Sequence, residues 1–303
     1  MIDYIKNLAS NIPLKDTPIT LDIVLEGGAF NGGYEVGIML LIKELEKKNY
    51  LKVNRISGCS IGSVVAVYYF LDILQYIQQD FKKIREYFKN NFHMKIIRKI
   101  LEKRITNENF NRIKKNKLYI TYSDVSEGKQ IVKSNYKNKE ELIQLLIRSS
   151  HTPFFSNDTF YCEEEDKEYF DGVVPYIFPE REIKKYNKQL YVSLSSISLI
   201  PSTIYSRHET NMSARVLNGA LDVYNLFIEK PSYLCSYVND WTVKDFAIFR
   251  LKEILYFLLF YILNLIHLFI KNYNPTLNKY YLYRSLGGIT YRFYKDFILY
   301  ISG

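Results

Sequence analysis

The chain has 303 residues, enough for one large domain or two modest ones, and 48% of them are hydrophobic against 24% charged. That apolar share can build a sizeable core and excludes wholesale disorder. Three cysteines, Cys59, Cys162 and Cys235, are too few and too widely spaced for a disulfide framework or a zinc site, which fits a reducing compartment. The first residues, MIDYIKNLAS, carry an acid at position 3 and no long apolar run, so no secretory leader is expected and the protein is expected inside the cell.

Residues 1–18 read as a short helix or arm ending near Pro13 and Pro18. Residues 20–25 form a β-like run that stops at Glu26-Gly27-Gly28. Beyond Tyr34, Val36, Ile38, Leu41, Ile42 and Leu45 recur at helical steps opposite Lys43, Glu44, Lys47 and Lys48, the pattern of an amphipathic helix. Residues 53–57 predict a second strand, followed by a glycine-containing turn and an apolar helix through Val64, Val65, Val67 and Phe70. Strand, turn and helix occurring twice in succession predict an α/β three-layer sandwich with a mainly parallel central sheet.

Residues 82–117 then hold thirteen Lys and Arg against three Glu, a net +10 in a chain whose total is +9. A local field of that sign attracts an anionic membrane or nucleic acid, although a solvated helical face reads the same way. The segment contains no nucleic-acid recognition motif, so nucleic acid is not expected as a partner. Strands are predicted at 118–122 and 130–132 around Glu127-Gly128, a helix at 140–148, a strand at 191–195 and a helix at 211–227. Residues 254–270 are apolar or Tyr except for Asn264 and His267, with Lys252 and Lys271 flanking them. A helix of that length spans roughly 25 Å, at the short end of what crosses a bilayer. It reads as a single membrane pass, a segment lying on a membrane surface, or a buried or partner-facing helix. The chain thus divides into an arm (1–18), an α/β domain (19–230) and a C-terminal helical region (231–303).

Three pieces carry chemistry. Gly58-Cys59-Ser60-Ile61-Gly62 has the G-x-S-x-G form of a nucleophile elbow between a strand and a helix. Gly58 and Gly62 let the chain turn sharply, and the helix N-terminus directs amides at charge developing near Ser60. A turn that merely caps a helix would look similar. Gly27-Gly28-Ala29-Phe30-Asn31-Gly32-Gly33 also sits between a strand and a helix, but fits neither a P-loop nor a dinucleotide fingerprint. Its small residues suit an oxyanion site, for which Gly27, Gly28, Ala29, Gly32 and Ile61 are the candidates. The third piece is Asp171-Gly172. A serine nucleophile needs a base within reach, and none of His93, His151, His208 and His267 lies in a persuasive position, although His151 near Pro153 remains an alternative. A carboxylate can serve if burial raises its pKa, and Asp171 is the best placed.

These pieces resemble the patatin-like phospholipase family, whose members pair a G-x-S-x-G serine with the Asp of a D-G-G or D-G-A motif and use no histidine. By that resemblance Ser60 is the nucleophile, Asp171 the base, and Gly27-Gly28-Ala29-Phe30-Asn31-Gly32 the oxyanion loop. Residues 119–125 and 149–155 are similar to further family segments, the second giving His151 no catalytic role. The resemblance covers roughly residues 19–200. Three departures stand out: Ala29 replaces a third loop glycine, Asn31 replaces the usual Arg or Lys, and Val173 replaces a small residue after Asp171-Gly172.

The resemblance implies phospholipase A-type hydrolysis through an acyl-enzyme, with no cofactor and no metal. A phospholipid or other acyl lipid is the expected substrate and a membrane surface the expected partner. Another serine acyl hydrolase (lysophospholipase, triacylglycerol lipase or thioesterase) and an inactive membrane-associated scaffold of the same fold are the alternatives.

Overall fold

The computed structural model describes the chain except for residues 14–16, 92–94, 154–155, 157–158, 165–166, 180–186, 197–198, 200, 204, 206–208, 210, 278 and 303. His93 and His208 lie outside the described residues, as do Phe154 and Phe155 of the family-like segment. The strands are β1 (Ile19–Leu25), β2 (Leu51–Cys59), β3 (Leu118–Asp124), β4 (Lys129–Lys133), β5 (Cys162–Glu164), β6 (Lys167–Asp171), β7 (Asn187–Val192) and β8 (Cys235–Tyr237). They form one mixed sheet in the order β5-β6-β3-β2-β1-β7-β8, with β4 also on β3. The central strands β3, β2, β1 and β7 run parallel, and β4, β5, β6 and β8 add antiparallel pairs at the margins.

The helices are α1 (Ile2–Ser10), α2 (Gly32–Lys47), α3 (Ile61–Phe70), α4 (Ile77–Asn91), α5 (Ile96–Arg104), α6 (Asn107–Phe110), α7 (Lys139–Ser149), α8 (Ser213–Phe227), α9 (Val243–Leu277) and α10 (Tyr281–Ser302). Side chains alternate across a strand, so β1 serves two cores. Ile23 and Leu25 join the main core with Ile5 of α1, Ile38 of α2, Val65 of α3, Leu146 of α7 and Val216 of α8. Val24 joins a second cluster with Val174, Phe178, Tyr191, Val238 and Phe249 of α9. Helices, sheet, and a thinner cover that includes α9 make the three layers. Ile23, Val24 and Leu25 are apolar in succession, as burial on both faces requires.

The basic region is more than a solvated face. Within α4 and α5, Phe81, Phe88, Ile100 and Leu101 are buried. Arg104 forks onto the buried Asp80 with two bonds of 2.7 Å, and Tyr68 donates to the same carboxylate. α9 is a 35-residue helix, twice the length of the apolar run that announced it. One side meets the body: Phe249 is buried, Phe260 lies 4.4 Å from the Phe170 ring and His267 stacks on Phe160. The other side exposes Leu255, Leu258, Leu259, Ile262, Leu265, Ile266 and Phe269 to about half their area. Among the described residues, no helix is long and apolar enough to cross a membrane.

Candidate active site

Ser60 sits between the end of β2 and the start of α3, with φ 50° and ψ −128°. A left-handed non-glycine backbone costs on the order of 1–3 kcal/mol and persists only where its surroundings enforce it. Here the enforcement is visible. A Cβ on Gly62 would come 2.7 Å from the Leu25 and Glu26 carbonyl oxygens, and one on Gly27 would come 2.8 Å from Ser60 Cβ. The elbow is therefore wedged between β1 and the glycine loop. The Ser60 N–H donates to Ser149 Oγ at 2.9 Å, and Ser63 Oγ donates to the Ser60 carbonyl at 2.6 Å.

The position of Asp171 follows from how β3 is shared. A strand has two edges, and β4 occupies one edge of β3 from Ile120 to Asp124. Both β2 and β6 must therefore use the other edge, end to end. Cys59 of β2 pairs with Thr121, and Asp171 of the oppositely running β6 pairs with the next residue, Tyr122. The tips of the two strands meet head-on, which brings Ser60 and Asp171 together across a separation of more than a hundred residues. Burial raises the Asp171 pKa from its ordinary value to about 6, and hydrogen bonding from the Ser60 hydroxyl and the Val173 amide partly opposes that rise. The Val173 N–H reaches Asp171 Oδ1 at 3.0 Å.

The end of α7 grips both partners. Besides receiving the Ser60 amide, Ser149 accepts the Gly172 N–H on its carbonyl at 3.3 Å, while the His151 carbonyl accepts the Asp171 N–H at 2.9 Å. His151 thus takes part through its main chain. Its ring is buried, with Nε2 3.1 Å from the Phe160 carbonyl, and burial lowers its pKa.

The glycine loop separates into amides already engaged and amides left over. Gly32 N–H donates to the Ala29 carbonyl, and Gly27 N–H lies near enough to the Cys59 thiol to oppose the rise in its pKa that burial causes. Among the described residues, the N–H groups of Gly28, Ala29 and Ile61 donate to no backbone carbonyl outside their own helices. Of the five oxyanion candidates, these three have donors to offer. Gly58 supplies a different need, since a Cβ there would come 2.7 Å from the Gly62 carbonyl and the Ser63 nitrogen.

A family model described as patatin-like phospholipase matches residues 23–182, more than half of the chain. The chain belongs to the patatin-like phospholipase family. It also resembles the omega-hydroxyceramide transacylase of Mus musculus, at 23% identity over 150 residues, which are 46% of this chain and 24% of that protein. The chain therefore spans about a quarter of the length of that relative.

Three residues that support this patatin-like site have no mark in the sequence. Ser149 looks like any small residue at a helix end. Glu26, next to the glycine loop, is buried and accepts from the amides of Leu194 and Ser195 at 2.8 and 2.9 Å and from Ser195 Oγ at 2.7 Å. Lys252 of α9 stands 3.7 Å from the same carboxylate. Arg215 of α8 is buried and reaches the Asn31 side chain. Once buried, the Glu26 carboxylate needs several donors, which the Leu194 and Ser195 groups supply.

Proposed function

We propose that this patatin-like protein hydrolyses fatty-acyl esters of phospholipids, with Ser60 as nucleophile and Asp171 as its base. The ionised Asp171 carboxylate takes the hydroxyl proton as Ser60 Oγ bonds to the ester carbonyl carbon. The resulting oxyanion is received by the amides of Gly28, Ala29 and Ile61. Collapse breaks the bond to the alcohol oxygen, which leaves with the proton held by Asp171, and an acyl-enzyme remains. Asp171 then takes a proton from water, whose oxygen attacks the acyl carbon and releases the fatty acid, and the proton returns to Ser60.

The observation that carries this reading is the head-on meeting of β2 and β6, which sets a serine in a strained elbow against a buried carboxyl whose pKa is about 6. A base in that range is ionised at neutral pH and still basic enough to share a proton. A lipid substrate is further supported by the exposed apolar side of α9, and by α10, which packs on the basic helix α4. Together they suit attachment to the surface of an anionic lipid layer rather than passage through it.

A second reading follows from the transacylase relative: an alcohol replaces water in the last step. The test is to label the protein and its Ser60→Ala variant with a fluorophosphonate, then incubate the wild type with acyl-labelled phospholipid vesicles, with and without a long-chain alcohol. Label on wild type only, with free fatty acid released, supports hydrolysis. A new ester formed at the expense of fatty acid supports transfer. Cleavage of neutral lipid alone sinks the phospholipase assignment, and equal labelling of the variant sinks Ser60.

A further inference from the structure

Asn31, where family members usually carry a cation, closes the glycine loop with a fully committed side chain. Its Nδ2 donates to the Leu199 carbonyl at 2.9 Å and to Thr203 Oγ1 at 3.2 Å. Its Oδ1 accepts from Ser202 Oγ at 2.9 Å and from Arg215 Nη1 at 2.7 Å. Arg215 is 3% exposed and projects from the first turn of α8. Its guanidinium also donates to the carbonyls of Ser202 and Tyr205 at 2.8 and 2.9 Å, and its Nε lies 2.9 and 3.0 Å from the two Glu209 oxygens. A planar fork with five fixed donors can hold four groups in one plane, which an ammonium cannot.

Two residues before Asn31 the backbone is strained, with Ala29 at φ 43°. On one side of it Gly28 rests on Leu194, whose Cβ would lie 3.0 Å from an added methyl. On the other, the turn from Asn31 to Gly28 closes through an N–H to carbonyl bond of 2.8 Å. A left-handed alanine stays in place only if both ends of the turn are held. The C-terminal hold is Asn31, and Asn31 is held by Arg215.

We propose that Arg215 is a positioning residue for acyl transfer: through Asn31 its buried guanidinium fixes the strained turn that aims the Gly28 and Ala29 amides at the reacting carbonyl. The inference rests on the assignment of Ser60 as nucleophile. It moves the cation of this region from the loop onto α8, where it orders the loop without touching substrate.

The test exploits the strain. Arg215→Lys keeps the charge and loses the fork, and Ala29→Gly removes the backbone strain that the fork is there to hold. The rate of fluorophosphonate labelling per folded molecule is measured for wild type, each single variant and the double variant, together with kcat and KM on a soluble short-chain ester. Arg215→Lys is expected to slow labelling and kcat about 10- to 100-fold while KM moves less than about 2-fold. Measured against Ala29→Gly, the same change should cost less than about 3-fold, because a glycine turn no longer depends on the hold. Equal losses in both backgrounds overturn the proposal, as does a loss of folded yield with an unchanged rate per folded molecule. Should Arg215→Lys fail to fold, Asn31→Ala cuts the same link from the loop side and is read by the same cycle. Wild type that takes no label refutes the Ser60 assignment itself, and the role of Arg215 falls with it.

Discussion

Around Ser60 and Asp171, main-chain groups are tied to buried partners, whereas along α9 and α10 whole helical faces present half-exposed Leu, Ile and Phe. The contrast matches two physical demands. The proposed acyl transfer needs atoms placed to within a fraction of an ångström, and the end of the sheet that carries Ser60 and Asp171 is held by directional bonds from Ser149, His151 and Val173. The lipid attachment proposed above would be non-directional and scale with area, so a broad apolar face would suffice without fine placement. Changes at the first region should alter rate, and changes at the second should alter where the protein resides.

The largest expected effect is that of Asp171→Asn. It should lower kcat/KM on the order of 10^4-fold, since asparagine accepts no proton, and wild-type kcat/KM should rise with pH around a midpoint near 6. Stability should move the other way. A carboxyl with a raised folded pKa contributes stability fully at pH below its unfolded value near 4, and that contribution is lost as pH rises through about 6. Asp171→Asn should therefore be more stable than wild type at pH 8, by about 3 kcal/mol. Urea unfolding at pH 4 and 8 checks the sign, and a variant no more stable at the higher pH breaks the account of buried strain at the dyad.

Ser149→Ala comes next. It leaves the Ser60 N–H without its acceptor, which should cost about 1–3 kcal/mol in denaturant unfolding and slow turnover about 10-fold or more as the elbow loosens. An unchanged rate would show that the elbow does not depend on α7. Val173→Gly is smaller: the strain relieved at φ 60° opposes the apolar packing lost against the second core, so stability should change by less than about 1 kcal/mol in a calorimetric scan. Smallest for the core is Leu258→Glu with Ile262→Glu on the outer side of α9. It should change folding stability by less than about 0.5 kcal/mol and leave turnover of a soluble ester within about 2-fold, yet release the protein from anionic vesicles in co-sedimentation. Retained vesicle binding would remove the contrast between the two regions.

Much of this architecture is written in local patterns. β1 and α2 appear as a β-like run followed by a helical stripe, and the elbow as small residues around Ser60. The pairing of β5 with β6 has little local signal, because these strands gain their order from pairing with β3 rather than from propensity. The glycines and tyrosines of α10 weaken its helical signal, while the full length of α9 is hidden by charged residues at both ends of the apolar run. At the site, Ser60 and Asp171 were legible as motifs. Ser149, Glu26 and Arg215 were not, since each acts through hydrogen bonds to residues distant in the chain. Local reading also could not tell which amides of the glycine loop are free, because Gly27 turns its N–H toward Cys59 and Gly32 toward Ala29.

Because β2 and β6 abut along a single edge of β3, the ladder would serve as a ruler for the proposed reaction. Sliding β6 by one residue would turn the carboxylate to the opposite side of the sheet, and sliding it by two would carry it roughly 7 Å from the serine. Insertions between Glu164 and Lys167 leave that measurement intact, whereas a single residue added between Tyr169 and Asp171 destroys it. Length variation in descendants of this chain should therefore accumulate between β5 and β6 and spare the three residues that mesh with Tyr122, Ser123 and Asp124.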